Sequence, residues 1–343
     1  MKRFAAMAAV AVMVFAWGTR ARADVVTDTV TVGNPGNAND THGDGYGRVD
    51  YVYNIGRFEV TAGQYTEFLN AVAATDTYGL YNSSMWSSGS GCKIERSGSA
   101  GSYAYSVAED RASRPVNYVS YWDSCRFANW LHNGQPSGPQ GAGTTEMGAY
   151  TLNAYNGEDG REIQRNPAWN WAVTSEDEWY KAAYHKNDGV TGNYFNYPTS
   201  SDNVPGYVND EGNLSGTGDP FIEGGTDPGN YATYDGDAGI NGIGSPYYRT
   251  EVGEWENSDS PYGTFDQGGN VWEWNEAVPY GAYRGIRGGS FYTNDYDLHA
   301  AYSMYITPTN EVHNIGFRVS EVPEPTSLAL LTLGALLATR RRQ

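Results

Sequence analysis

Phe265-Asp266-Gln267-Gly268-Gly269-Asn270-Val271-Trp272-Glu273-Trp274 places two glycines and an asparagine between one acidic residue and a tryptophan-rich end. The stretch reads as a short strand, and two readings of its polar residues stay open. In one, Asp266 and Asn270 shape an ordinary turn, Glu273 is solvated, and Trp272 and Trp274 pack inward. In the other, carboxylates and backbone carbonyls of a flexible loop present hard oxygen ligands of the kind calcium takes.

Further short strands are predicted on the C-terminal side, over Tyr283 to Phe291 and Ile315 to Val319. Upstream, Val49, Tyr51, Tyr53 and Ile55 alternate with Asp50 and Asn54, the period of a half-buried strand. Thr61 opens a helix, with Gln64 placed to complete a capping box. Tyr65, Phe68, Leu69 and Val72 then give that helix one apolar face. A second helix starts at Ser120, with Asp123 at its third position, and stops at Asn133-Gly134. A third starts at Ser175, with Glu178 in the capping-box place and His185 and Lys186 at its C-terminal dipole. Thr199 to Arg249 is rich in Gly, Asn, Asp and Pro with little periodicity, which predicts a long surface loop. With 43 glycines, 28 tyrosines and 10 tryptophans, the chain is a loop-rich domain with an aromatic core.

The two ends have a different character. Met1-Lys2-Arg3, the apolar run Phe4 to Trp17 and Ala21-Arg22-Ala23 form a signal peptide over 1–23, cleaved before Asp24; a retained membrane anchor is the alternative. Residues 24–44 are expected to be a flexible segment and 45–321 one domain, since no repeat or linker divides them. Val322-Pro323-Glu324-Pro325 leads into the apolar run Ser327 to Ala338 and then Arg340-Arg341-Arg342. That order suits a segment stopped in the membrane by a basic cluster. Seven of the 22 basic residues lie in these two ends, leaving 15 against 40 acidic ones. Nucleic acid and anionic lipid are poor partners for such a surface, and cations and neutral polymers are better ones. Cys92 and Cys125 are the only cysteines, and export predicts that they form one disulfide, two buried thiols being the other possibility.

Residues 322–343 resemble the PEP-CTERM sorting signal, which implies processing by an exosortase-type protease and only transient membrane contact. The domain resembles the sulfatase-modifying-factor, or formylglycine-generating, family. The likeness is carried by Tyr53 to Thr61, Arg114-Pro115-Val116-Asn117-Tyr118-Val119-Ser120, Ser175 to Trp179, Gly269 to Trp274, Arg287-Gly288-Gly289-Ser290-Phe291 and Gly316-Phe317-Arg318-Val319, in that order. The resemblance implies an α+β fold, a variant of the C-type-lectin-like architecture with few helices and short strands. It also implies calcium, held by the side chains of Asp266 and Glu273 and the carbonyls of Gly269 and Val271. A second calcium site would draw on Asn230, the Tyr231 carbonyl and Asp237.

In the oxidising enzymes of the family, two cysteines five residues apart bind copper, which as a soft cuprous ion demands thiolates. Thr293 and Leu298 stand at those positions, so no copper is expected. The iron-dependent branch needs a histidine cluster, and the five histidines here, 42, 132, 185, 299 and 313, have no such spacing. The expected function is therefore a calcium-stabilised, non-catalytic module, secreted or held at a bacterial surface or in its extracellular matrix, that binds a glycan or a surface protein. The alternative is a divergent enzyme using the same groove through Arg287, Ser290 and Thr293. No base is visibly paired with either hydroxyl.

Overall fold

The computed structural model describes residues 24–42, 45–207, 229–234 and 243–322. The predicted signal peptide, Asp237 and the sorting segment beyond residue 322 lie outside the described residues. In chain order the elements are β1 (Thr29–Val32), β2 (Tyr53–Gly56), α1 (Ala62–Val72), α2 (Ser84–Ser87), β3 (Ile94–Ser97) and β4 (Ala104–Val107), followed by α3 (Tyr121–His132), β5 (Trp171–Val173) and α4 (Glu176–Tyr184). The closing part adds β6 (Trp272–Trp274), β7 (Arg284–Arg287), α5 (Asp295–Leu298), β8 (Met304–Ile306), β9 (Ile315–Phe317) and β10 (Val319–Glu321). This is an α+β fold of short strands, three principal helices and long ordered loops. No helix among the described residues is long and apolar enough to cross a membrane.

All three predicted helix starts carry the cap that their sequence specifies. Thr61, Ser120 and Ser175 each accept from the backbone N–H three residues on, and Gln64, Asp123 and Glu178 each return a side-chain bond to the cap. Two otherwise orphaned N–H groups are satisfied at each start, so the helices begin where the boxes put them. At the other end of α4 the expectation fails. His185 is fully buried against the Tyr262 hydroxyl, and burial lowers its pKa, so it is not a surface cation at a helix terminus.

One four-stranded sheet runs β1-β2-β10-β5, antiparallel throughout. A second runs β8-β7-β6-β9, in which β6 and β9 are parallel. The main core lies where α1 and α3 meet these sheets. Phe68 and Phe127 pack with ring centroids 5.3 Å apart, Phe127 and Phe317 at 5.4 Å, and Phe68 and Trp130 at 5.3 Å. Edge-to-face pairs of this kind stabilise beyond their burial by about 0.5–1.5 kcal/mol each.

Three expectations are corrected. The described part of the predicted flexible segment 24–44, residues 24–42, is not loose, because β1 pairs with β2 from Thr29–Gly56 to Val32–Tyr53. Asn37, fully buried, also donates to the Gly47 carbonyl and the Tyr194 hydroxyl. The span 199–249 is not all surface loop: Ala232 and Tyr234 are buried beside Tyr197 and Leu298, and Arg249 is buried too. Cys92 and Cys125 are free, buried thiols rather than a disulfide. Each has its own place in the packing. The Cys92 sulfur faces the Asn117 carbonyl at 3.9 Å, Cys125 lies within α3, and burial pushes both thiols up.

Candidate functional site

The loop before β6 is shaped by its sequence. Asp266, Gly269 and Asn270 all take positive φ, at 60°, 89° and 52°. These are the residue types that adopt the left-handed region at least cost. Gly269 has a second constraint, since a Cβ there would collide with the Thr233 carbonyl. The neighbouring Asn270 N–H donates to that carbonyl at 2.7 Å, and its side-chain oxygen accepts from Thr250 N at 3.0 Å. The loop is thus pinned between residues 233 and 250.

Beyond it, Glu273 is fully buried and faces Arg318, also fully buried. Arg318 Nε and Nη2 each donate to the carboxylate at 2.6 Å, and Trp179 Nε1 adds a third bond at 2.7 Å. Arg318 also donates to the carbonyls of Gly56 and Phe265. Asp266 accepts from the Gly253 N–H at 2.6 Å. The residue that sequence reading missed is Glu59, which lies in the quoted stretch Tyr53–Thr61 but was assigned no role. It is buried, and neither of its carboxylate oxygens has a hydrogen-bond partner. Burial, reinforced by Asp266, pushes Glu59 well above the usual carboxylate range, with Arg318 opposing. Burial likewise pushes Asp266 up to about 7.

Two buried carboxylates, Glu59 and Glu273, and the half-buried Asp266 therefore share the field of one guanidinium. Their donors are all oxygen, which fits a hard cation. The expected division of labour does not fit so well. Three of the roughly four lone-pair positions on Glu273 are already used by Arg318 and Trp179. Among the described residues, no group of three or more His, Cys, Asp or Glu side chains is arranged to hold a metal. A cation here would rest on Asp266 and the charge of Glu59, with backbone carbonyls completing its shell.

Of the second predicted calcium site only Asn230 and Tyr231 belong to the described residues, since Asp237 lies outside them. The Asn230 side-chain oxygen accepts from the Thr199 hydroxyl at 2.6 Å, and its amide nitrogen reaches the carbonyls of Asn203 and Val204. Tyr231 N–H is bound to Ser258. This pair clips loops together.

At the groove, Thr293 and Leu298 come together. A Cβ built on Gly289 would lie 2.6 Å from Leu298 Cδ1 and 3.0 Å from Thr293 Oγ1. Leu298 is fully buried, and the Thr293 hydroxyl accepts from Ser290 N–H at 2.8 Å. Ser290 Oγ accepts from Asn314 Nδ2 at 3.2 Å and from Tyr292 N–H at 3.3 Å, with no histidine or carboxylate bonded to it among the described residues. Arg287 does not join them. It is buried, donating from Nε to Glu176 at 2.7 Å and from Nη1 to the Tyr302 carbonyl at 2.7 Å. Its place in the groove is corrected to a packing role.

The histidines are scattered. His42 is bonded to Asp40 and lies edge-on to His299, whose Nδ1 accepts from Ala301 N–H. His132 Nδ1 accepts from Asn170 N–H, and His313 packs on Phe291 and Tyr292.

Residues 48–322 match the family described as the sulfatase-modifying factor enzyme 1-like domain, and residues 321–343 match the PEP-CTERM protein-sorting motif. No curated protein matches the sequence. Three solved structures are similar. CarF is 20% identical, with 87% of this chain and 99% of CarF covered at a TM-score of 0.47. The variable protein 1 of Treponema denticola is 18% identical, with coverages of 86% and 95% and a TM-score of 0.48. PvdO from Pseudomonas aeruginosa is 18% identical, with coverages of 86% and 91% and a TM-score of 0.43.

Proposed function

Since the chain belongs to the sulfatase-modifying factor enzyme 1-like family and carries a PEP-CTERM sorting motif, we propose that it is a non-catalytic binding module built on that family's scaffold. The sorting motif indicates export, sorting to a bacterial cell surface and processing by exosortase-type machinery. A signal peptide over 1–23, a domain over 45–321, and residence in the extracellular matrix belong to the proposal. So does the ligand class, a glycan or a surface protein.

The observation that carries the reading is the meeting of Thr293 and Leu298 over Gly289. It supports the assignment of these two as the residues standing where the family's oxidising members keep copper-binding cysteines. A hydroxyl and an aliphatic chain offer a cuprous ion nothing soft, and activity belongs to the site rather than the scaffold. The copper-supplied protein, incubated aerobically with a sulfatase-motif peptide, is expected to give no aldehyde product by mass spectrometry. Turnover above a no-protein control would overturn the reading.

Calcium is proposed at the loop of Asp266, on the ground that buried Glu59 has no hydrogen-bond partner and half-buried Asp266 lies in its field, with Arg318 the opposing charge. The alternative neutraliser is a proton, and the two differ in pH dependence. The folded-state pKa of Asp266, about 7, lies above its ordinary value of 3.8. Without a cation the folded state must therefore hold a proton that the unfolded chain releases, and stability is lost as pH rises from the ordinary Asp range through about 7. Saturating calcium favours the ionised pair and should flatten that slope. At 100 times its dissociation constant it adds about 2.7 kcal/mol. Urea midpoints at pH 5.5 and pH 8, each with chelator and with calcium, check this. Identical slopes in both, with no metal found by elemental analysis, would leave the proton as the neutraliser.

A further inference from the structure

Tyr280, Tyr283 and Tyr305 form a cluster of exposed rings at the free edge of the sheet that contains β6. β8 is the outermost strand of that sheet, and its Tyr305 pairs with Gly285 of β7. Tyr280 and Tyr283 stand on the loop entering β7, which is folded back by a bond from Tyr283 N–H to the Tyr280 carbonyl at 3.1 Å. Ring centroids are 6.5 Å apart for Tyr280 and Tyr283, 5.7 Å for Tyr280 and Tyr305, and 5.5 Å for Tyr283 and Tyr305. The planes lie within 15° to 31° of one another. The three residues are 64%, 38% and 46% exposed.

Among the described residues, this is the one place where three exposed aromatic rings touch one another. Tyr292 and Tyr296, equally open at 63%, instead lean on less exposed partners, Phe291 with His313 and Tyr302 respectively. The turn 159–161 is fixed beside the cluster, because Gly160 N–H donates to the Ala282 carbonyl at 2.7 Å. It carries an exposed planar pair in which Arg161 Nε and Nη2 meet the two Asp159 oxygens at 2.9 and 2.6 Å.

We propose that this cluster is a binding site for a neutral polysaccharide. The inference rests on the reading of the protein as a binding module and names both the site and the ligand class. The face of an aromatic ring carries negative quadrupole charge, to which the weakly positive C–H face of a sugar ring is attracted. The tyrosine hydroxyls and the Asp159–Arg161 pair then face sugar hydroxyls at the border. Charge selects the class. The chain carries a formal −18, which repels acidic polymers, and the Asp159 carboxylate beside the cluster is already paired with Arg161, which makes it a poor mark for a polycation.

Affinity electrophoresis of the purified full chain tests this, with hydroxyethylcellulose and dextran as neutral probes and alginate as the acidic one. At least one neutral polymer should retard the protein and alginate should not. The double variant Tyr280→Ala/Tyr305→Ala should weaken binding about tenfold or more, a loss of about 1.4 kcal/mol or more. Tyr280→Phe/Tyr305→Phe keeps the rings and most of the affinity, and Trp86→Ala, which removes an exposed ring elsewhere, keeps all of it. If Tyr280→Ala/Tyr305→Ala binds like the parent while Tyr292→Ala/Tyr296→Ala loses retardation, the site assignment is wrong and the binding-module reading stands. If no polymer retards the parent protein, the polysaccharide assignment is wrong and a protein ligand takes its place. Aldehyde turnover in the peptide assay is the separate result that removes the module reading itself.

Discussion

Arg318→Ala should destabilise the protein by about 3–5 kcal/mol, the range found when one partner of a buried ion pair is deleted. The two 2.6 Å bonds to Glu273 would be lost, together with those to the Gly56 and Phe265 carbonyls. The carboxylates left behind make the upper end of the range the expected one. Buried Glu273 and Glu59 and half-buried Asp266 would then lose the guanidinium that faces them. At about 2–4 °C per kcal/mol for a domain of this size, the melting temperature should fall by roughly 10 °C or more. Arg318→Lys should rescue little, because an ammonium cannot reproduce the two-pronged geometry. Lowering the pH should recover part of the loss by protonating the stranded acids. Urea denaturation of the three proteins at two pH values decides it, and a cost under about 1 kcal/mol would mean that the pair contributes no more than a surface contact.

The second large effect is a gain of metal binding. Thr293→Cys/Leu298→Cys should retain one cuprous ion per chain where the parent retains none, because the two side chains already reach the same point above Gly289. Neither single variant should suffice, since one thiolate leaves a soft ion without its second ligand. Leu298 is fully buried against Tyr197, Ala232 and Tyr234. Trimming it should therefore cost about 1–3 kcal/mol of stability, below the range for truncation to alanine. Anaerobic competition with a chromophoric cuprous chelator gives the readout. A folded double variant that surrenders all its copper would show that the two positions do not form a pair.

Local chemistry was legible in the sequence and long-range partnership was not. Thr61 with Gln64, Ser120 with Asp123 and Ser175 with Glu178 each settle a helix start within four residues, so no tertiary knowledge was needed. Asp266 and Asn270 signal their turn by residue type, and both take positive φ. Glu59 gave no such signal, because its buried position depends on Asp266, Glu273 and Arg318, more than 200 residues away. Arg287 sits in a motif that borders the groove, yet its guanidinium points to Glu176, an ion pair that no spacing rule contains. β1 escaped notice because four residues of alternating Thr and Val can serve as an edge strand or a tail. Only pairing with β2 decides between them. Residues 229–234 failed as a surface loop for a related reason. Gly, Asn, Ala and Thr are small enough to be buried wherever backbone bonds, such as Asn270 N–H to the Thr233 carbonyl, can be made.

Of the two strands that flank β2, one comes from each end of the described chain: β1 on one side and β10 on the other. β10 is also gripped by β5, and the Val322 N–H that follows it donates to the Asn170 carbonyl. Tension applied through residues beyond Val322 would load β10 lengthwise between two antiparallel neighbours, so its ladder bonds would have to break together in shear. Tension applied ahead of Thr29 would meet an edge strand with a single neighbour. The fold is thus mechanically lopsided, tougher at the end that carries the sorting motif, and pulling single molecules from each terminus in turn would register the difference as two separate rupture forces.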